Sequence, residues 1–129
     1  MRRSPAPLTN GPPRTTTRPS VICEPWDVIV VPFPFAERPG SKRRPALVLS
    51  KKAFNENGHT ILAMITTRAH HPWPGDTDIE DRQAAGLHVP CMVRLKLFTL
   101  DNRLIAKRIG HLSEDDSKRA AKRIRLYFL

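Results

Sequence analysis

Trp26-Asp-Val-Ile-Val-Val-Pro-Phe-Pro-Phe35 is the stretch that decides the fold. It is dense in β-branched and aromatic residues, which suit a pleated, packed surface. Alternation sends Val28, Val30, Pro32 and Pro34 one way and Ile29, Val31, Phe33 and Phe35 the other. A proline has no N–H for a ladder, so two at alternate positions predict a strand that ends at a sheet edge. Outward from it, Glu37-Arg-Pro-Gly-Ser41 reads as a loop and Pro45–Ser50 as a second strand. A helical turn is expected around Ala53-Phe54, and His59–Thr66 is a third strand behind the turn pair Asn57-Gly58. His71-Pro-Trp-Pro-Gly75 breaks the chain, Asp76–Ile79 is a short strand, and Gln83–Pro90 turns around Gly86. In Cys91–Phe98, Met92, Arg94, Lys96 and Phe98 alternate with Cys91, Val93, Leu95 and Leu97. Leu104–Ile109 is a last strand, ended by Gly110.

A helix should close the chain. Ser113 is a good N-cap, acids fill the first turn at Glu114, Asp115 and Asp116, and a basic run follows, each suiting its end of the helix dipole. Ala120, Ala121, Ile124, Tyr127 and Phe128 recur at spacings that make one apolar face. The expected fold is mainly β, a β-rich α+β domain: a small, strongly curved antiparallel sheet or barrel with a C-terminal helix. With 129 residues there is room for one domain and one small core.

The charge narrows the partners. Lys and Arg number 22 against 12 Asp and Glu, a net +10. Residues 1–20 hold five of the thirteen prolines, four Arg and no acid, and read as a disordered arm, with the folded domain placed at 24–129 and the arm at 1–23. The rest of the chain still carries +6, in runs at Arg38, Lys42, Arg43, Arg44, Lys51, Lys52 and at Lys118, Arg119, Lys122, Arg123, Arg125. Such an excess favours a polyanionic partner. No stretch is apolar enough to span a membrane. Two cysteines are too few for a disulfide scaffold or a four-cysteine zinc site, and point to a reducing cytoplasm. Cys91, inside an apolar alternation, reads as a buried inert thiol.

No cofactor motif is present, neither a phosphate loop nor a nucleophile elbow, and His70-His71 has no metal-ligand spacing. Cationic and polar residues stand out instead: Arg43-Arg44 before one strand, Thr66-Thr67-Arg68 after another, Arg94 and Lys96 on one face of a third. Singly these are a solvated pair, a turn and the wet face of a strand. Trp26 and Trp73 read as core residues or as platforms on which bases stack. In a curved sheet the cations and hydroxyls could converge on a phosphodiester. RNA carries its own nucleophile in the 2′-OH, so a protein need add only a base, an acid and positive charge for the phosphorane. An Arg fork suits the last task. The residues alone reach a basic β-rich domain that suits nucleic acid.

Asp27-Val-Ile-Val-Val-Pro-Phe-Pro-Phe and Gly-Ser-Lys-Arg-Arg-Pro-Ala-Leu-Val-Leu-Ser50 resemble the opening of the MazF/PemK toxin family. So do Ala63-Met-Ile-Thr-Thr67, Met92-Val-Arg-Leu-Lys-Leu-Phe-Thr-Leu-Asp101 and Ile109-Gly-His-Leu-Ser113, in the family's order over roughly residues 24–129. The resemblance implies an SH3-like barrel with a C-terminal helix. It implies a metal-independent endoribonuclease of a type II toxin–antitoxin pair, cutting single-stranded RNA such as mRNA to a 2′,3′-cyclic phosphate and a 5′-hydroxyl. It also implies a homodimer held inactive by an antitoxin, through which any DNA contact would run. By the same resemblance Arg44 stabilises the phosphorane and protonates the leaving oxygen, Thr66 hydrogen-bonds the scissile phosphate, and Arg94 is a further catalytic arginine. Lys42, Arg43, Thr67, Arg68, Lys96, His70 and His71 are the expected substrate-binding residues. PemK-type members place an Asp, a proposed base, where this chain has Lys96, which reads first as a phosphate clamp; His70 or His71 is the nearest replacement base. The family's Gly-Asp opening is replaced by Trp26-Asp27. Two rivals stand beside this reading: a gyrase poison of the CcdB type, whose Trp-Gly-Ile terminus is replaced here by Leu126-Tyr-Phe-Leu129, and a basic module of the same fold that binds RNA or DNA without cutting it.

Overall fold

A computed structural model describes residues 22–33, 42–67 and 71–129. Residues 1–21 of the expected 1–23 arm, the loop around Arg38 and the positions of Arg68 and His70 lie outside the described residues. The elements are β1 (Asp27–Phe33), β2 (Lys42–Val48), α1 (Lys52–Asn55), β3 (His59–Thr67), β4 (Thr77–Asp78), α2 (Arg82–Ala85), β5 (Cys91–Asp101), β6 (Lys107–His111) and α3 (Glu114–Phe128). The strands form one curled antiparallel sheet in the order β4-β5-β3-β2-β1-β6.

Both faces of this sheet are buried, which explains why β1 reads as an almost continuous apolar run. Val28, Leu47, Ala63, Ile65 and Val93 pack on one face beneath Leu112 and Ala120. Ile29, Val31, Ala46, Val48 and Leu62 fill the other, with Cys23, Leu100 and Ile105. Polar groups that enter the second interior are satisfied by one another. Asn55 Nδ2 donates to Cys23 O at 2.8 Å, Asn102 Nδ2 to Asn55 O at 2.7 Å and Thr60 Oγ1 to Asn102 Oδ1 at 2.7 Å. That chain of bonds pins α1 and the 3₁₀ turn Asn102–Leu104 to β3.

Trp26 sits at φ 74°, a conformation glycine holds without strain. Its N–H donates to Val48 O and its carbonyl accepts from Leu112 N, so it bridges β2 and the chain after β6. Next to it Asp27 is buried and accepts from Glu24 N at 2.9 Å, with His111 Nδ1 at 2.9 Å and Arg108 Nη1 at 3.5 Å.

Several expectations shift. β1 is flanked by β2 along its length, but β6 covers only Asp27–Val30, so the strand does end at an edge where Pro32 lies. The last strand starts at Lys107 rather than Leu104, because Asn102–Leu104 wind into the 3₁₀ turn, and it includes Gly110 instead of stopping there. The alternation in β5 breaks at a register shift opposite Ala63 and Met64, and Leu97 emerges 41% exposed. The helix begins as expected, with Ser113 Oγ accepting from Asp116 N. Its apolar face loses cover toward the C-terminus: Ala120 is buried and Ile124 half-buried, while Tyr127 and Phe128 are 53% and 51% exposed. Its basic run is partly structural, since Arg119 binds Asp116 and Asp78 O and Arg123 binds Thr77 Oγ1.

Candidate functional site

The β2–β3 ladder ends at Ala46 with Met64. The next residue outward on β2 is Pro45, which has no N–H to offer a longer ladder. Beyond that point the two strands part, and a cavity of about 390 Å³ opens between them, the outer end of β1 and the chain around Leu87–Cys91. Arg44, Thr66 and Thr67 supply its polar groups; Val31, Phe33, Met64, Ile65, Val89 and Phe98 supply apolar wall. The sequence is legible here. Arg44, Met64 and Thr66 belong to the sheet face whose inner part is packed by Ala46 and Leu62, so the same alternation that builds the core delivers them to the cavity.

Arg44 is exposed, with its guanidinium carbon 6.0 Å from the Phe33 ring centroid. Among the described residues no carboxylate pairs with it. An unpaired guanidinium at the rim of an apolar cavity is a ready anion partner, and its pull strengthens as a ligand displaces water.

Arg94 is placed differently. It is the ladder partner of Met64, but it is not among the residues that line the cavity. Its Nε and Nη2 bind Asp76 at 3.1 and 2.9 Å, and Nη2 also donates to His71 O at 2.9 Å. The hydrogen bond to Asp76 raises its already high pKa. Lys96 lies beside it over the Trp73 ring. The structure therefore brings Arg44, Thr66 and Thr67 together and sets Arg94 and Lys96 one strand over. Lys42 and Arg43 are exposed at the start of β2, with Arg43 on the opposite face from Arg44. His71 is exposed and contributes its carbonyl. Arg68 and His70 lie outside the described residues.

Asp76 and Phe33 join these residues without a local sequence signal. Nothing local marks Asp76: it follows Pro74-Gly75 as an ordinary turn residue, and its pairing with a side chain eighteen residues away is tertiary. Phe33 reads as core by its alternation with Val31, yet β1 outruns β6 and leaves its ring 38% exposed at the cavity mouth.

Cys91 lines the cavity and is buried, and burial, opposed by Arg82, raises its thiol pKa. Burial and then Asp27 push Cys23 up to about 11. Among the described residues no three His, Cys, Asp or Glu cluster so as to hold a metal ion.

The family model described as PemK-like, MazF-like toxin of type II toxin–antitoxin system matches residues 24–128. The chain belongs to this family. Solved structures of its fold include MazF from Deinococcus radiodurans, 24% identical over 84% of this chain and 99% of that one, with a TM-score of 0.64. The Mycobacterium tuberculosis toxin MazF-mt6 is 19% identical over 79% and 95% of the two chains, also at 0.64. The MazE–MazF complex from Deinococcus radiodurans matches at 21% identity, 82% and 96% coverage and 0.64. No curated protein sequence matches the chain. The toxin has the family's curled sheet and closing helix, and its Arg44 and Thr66 occupy one cavity. Among the described residues no helix is long and apolar enough to cross a membrane.

Proposed function

We propose that the toxin is a cytoplasmic endoribonuclease that cuts single-stranded RNA at the cavity between β2 and β3, without a metal. The observation that carries this reading is the meeting of Arg44, Thr66 and Thr67 in one cavity whose walls are otherwise mostly apolar. The substrate's 2′-oxygen attacks the adjacent phosphorus while the bond to the 5′-oxygen breaks, leaving a 2′,3′-cyclic phosphate and a 5′-hydroxyl. Solvent water takes the proton from the 2′-oxygen, and the departing 5′-oxygen takes one from the Arg44 guanidinium, which regains it from water. Arg44 faces the charge that grows on the non-bridging oxygens of the phosphorane, and Thr66 and Thr67 donate to the same oxygens. Apolar walls exclude water and so strengthen both contacts. Lys42 and Arg43, exposed next to Arg44 at the start of β2, add positive charge that attracts the strand at longer range.

The toxin works with a cognate antitoxin, as the family's place in toxin–antitoxin systems supports. The exposed end of α3, with Leu126 at 72% and Tyr127 and Phe128 about half exposed, supports a homodimer that covers it.

Purified toxin, freed of antitoxin, is incubated with a long RNA in EDTA. Cleavage that persists in EDTA and disappears in Arg44→Ala is the expected result; an intact RNA with wild-type protein overturns the reading. One observation favours a second reading, a module that binds RNA without cutting it. Among the described residues lining the cavity there is no carboxylate or imidazole to take the 2′-OH proton. Binding with no cleavage in the same experiment identifies that case.

A further inference from the structure

Trp73 lies in the connection between β3 and β4, and 39% of it is exposed. The ring is nevertheless fixed. Its Nε1 donates to Leu95 O at 3.3 Å, and its backbone N–H donates to Asp76 Oδ2 at 3.0 Å. Asp76 also grips Arg94 through both carboxylate oxygens. Lys96 Nζ stands 4.5 Å from the indole centroid and the Arg94 guanidinium carbon 6.0 Å from it. The covered part of the residue anchors the ring, and the 39% that stays exposed leaves π surface open to a ligand. The assembly is a braced π surface with positive charge against it. Those are the two things a nucleotide in a single strand needs: a flat partner for its base and a cation for its phosphate.

Its position fits such a use. Arg94 pairs across the ladder with Met64, and Met64 lines the cavity with Arg44 and Thr66. Adjacent strands are about 4.8 Å apart, so the Trp73 cluster sits one strand step beyond the cavity. Arg94 is engaged by Asp76 and His71 O, whereas Lys96 makes no ion pair among the described residues.

We propose that Trp73 and Lys96 form a stacking subsite for an unpaired nucleobase of the RNA, outside the cavity that holds the scissile phosphate. The proposal rests on the ribonuclease reading. The base lies against the indole, and the Lys96 ammonium moves to the neighbouring phosphate. Arg94 and Asp76 are positioning residues that hold the ring. Every base has a π face, so the subsite extends the length of strand gripped and discriminates little among bases.

The test uses the whole protein and an uncleavable 2′-O-methylated oligonucleotide, with binding followed by fluorescence anisotropy and folding by circular dichroism and melting. Trp73→Ala is expected to weaken binding about 5- to 100-fold. Trp73→Phe should recover most of that loss, and Trp73→Leu, which keeps bulk without a π face, should not. Lys96→Ala should lower the slope of log affinity against log salt by about 0.7. If Trp73→Ala fails to fold, Trp73→Leu and Lys96→Ala decide. Folded variants at these positions that bind the oligonucleotide as the wild type does overturn the subsite while leaving the ribonuclease reading intact. So does a loss confined to antitoxin binding. A wild-type protein that neither binds nor cuts RNA overturns the ribonuclease reading and the subsite with it.

Discussion

Arg44 and Thr66 occupy the positions that would face each other if the β2–β3 ladder ran two residues past its last pair, Ala46 with Met64. The ladder does not run on, and both side chains line the cavity left between the strands. Arg44→Ala should therefore lower the cleavage rate about 10²- to 10³-fold, the usual cost of removing one donor to a developing oxyanion. Thr66→Val, which keeps the shape and loses the hydroxyl, should cost about tenfold or more. Both variants should melt like the wild type, since neither side chain is buried. The measurement is the initial rate on a fluorogenic RNA; a wild-type rate for Arg44→Ala places the phosphate elsewhere.

The Asp76–Arg94 pair ties the β3–β4 connection to β5, with both side chains largely shielded, at 16% and 13% exposure. Asp76→Ala leaves that guanidinium without its carboxylate and should cost about 1–3 kcal/mol. A urea titration checks this. The double variant Asp76→Ala/Arg94→Ala should recover part of the loss, and strict additivity of the two single changes would show that the pair contributes nothing.

Acid stability should depend on Asp116. Its burial would raise the carboxyl pKa, but the N–H groups of Asp81 and Glu80 and the charge of Arg119 outweigh burial and hold it below the ordinary value. The folded state thus keeps this carboxylate ionised at pH values where the unfolded chain takes up a proton. The resulting stability is whole above an ordinary carboxylate pKa near 4 and drains away as pH falls through the lowered one. Asp116→Asn should be less stable by about 2 kcal/mol at neutral pH, with a shallower loss of stability below pH 4. Denaturant midpoints at pH 7, 4 and 3 test it, and parallel curves for the two proteins would count against this carboxylate as the acid-sensitive group.

Gly110 has no room for a side chain. A Cβ there would lie 2.3 Å from the carbonyl carbon of Ala85 and 2.6 Å from Ala84 O, backbone atoms of α2 that no rotamer change can move aside. Gly110→Ala should push α2 off β6 and destabilise the fold by about 1–3 kcal/mol. Thermal melting gives the answer directly.

Element identity was largely local and therefore legible. A β-branched run marked β1, an apolar stretch behind Asn57-Gly58 marked β3, apolar–polar alternation marked β5, and Ser113 with three following acids marked the start of α3. What escaped was set by partners. The register shift beside Ala63 that turns Leu97 outward depends on how β3 meets β5. The 3₁₀ turn that delays β6 depends on Asn102 reaching Asn55 and Thr60. At the site, the joining of Arg44 to Thr66 followed from strand ends and a family resemblance. The capture of Arg94 by Asp76 did not, because no spacing in the chain encodes it.

A proline at position 45 where the rungs between β2 and β3 give out has a cost for the engineer. Substitutions that zipped the two strands further would strengthen the sheet and close the opening in the same step. Thermostability selected without regard to toxicity should accumulate at these strand ends and yield harmless proteins, so that poise near Arg44 and Thr66 trades against robustness.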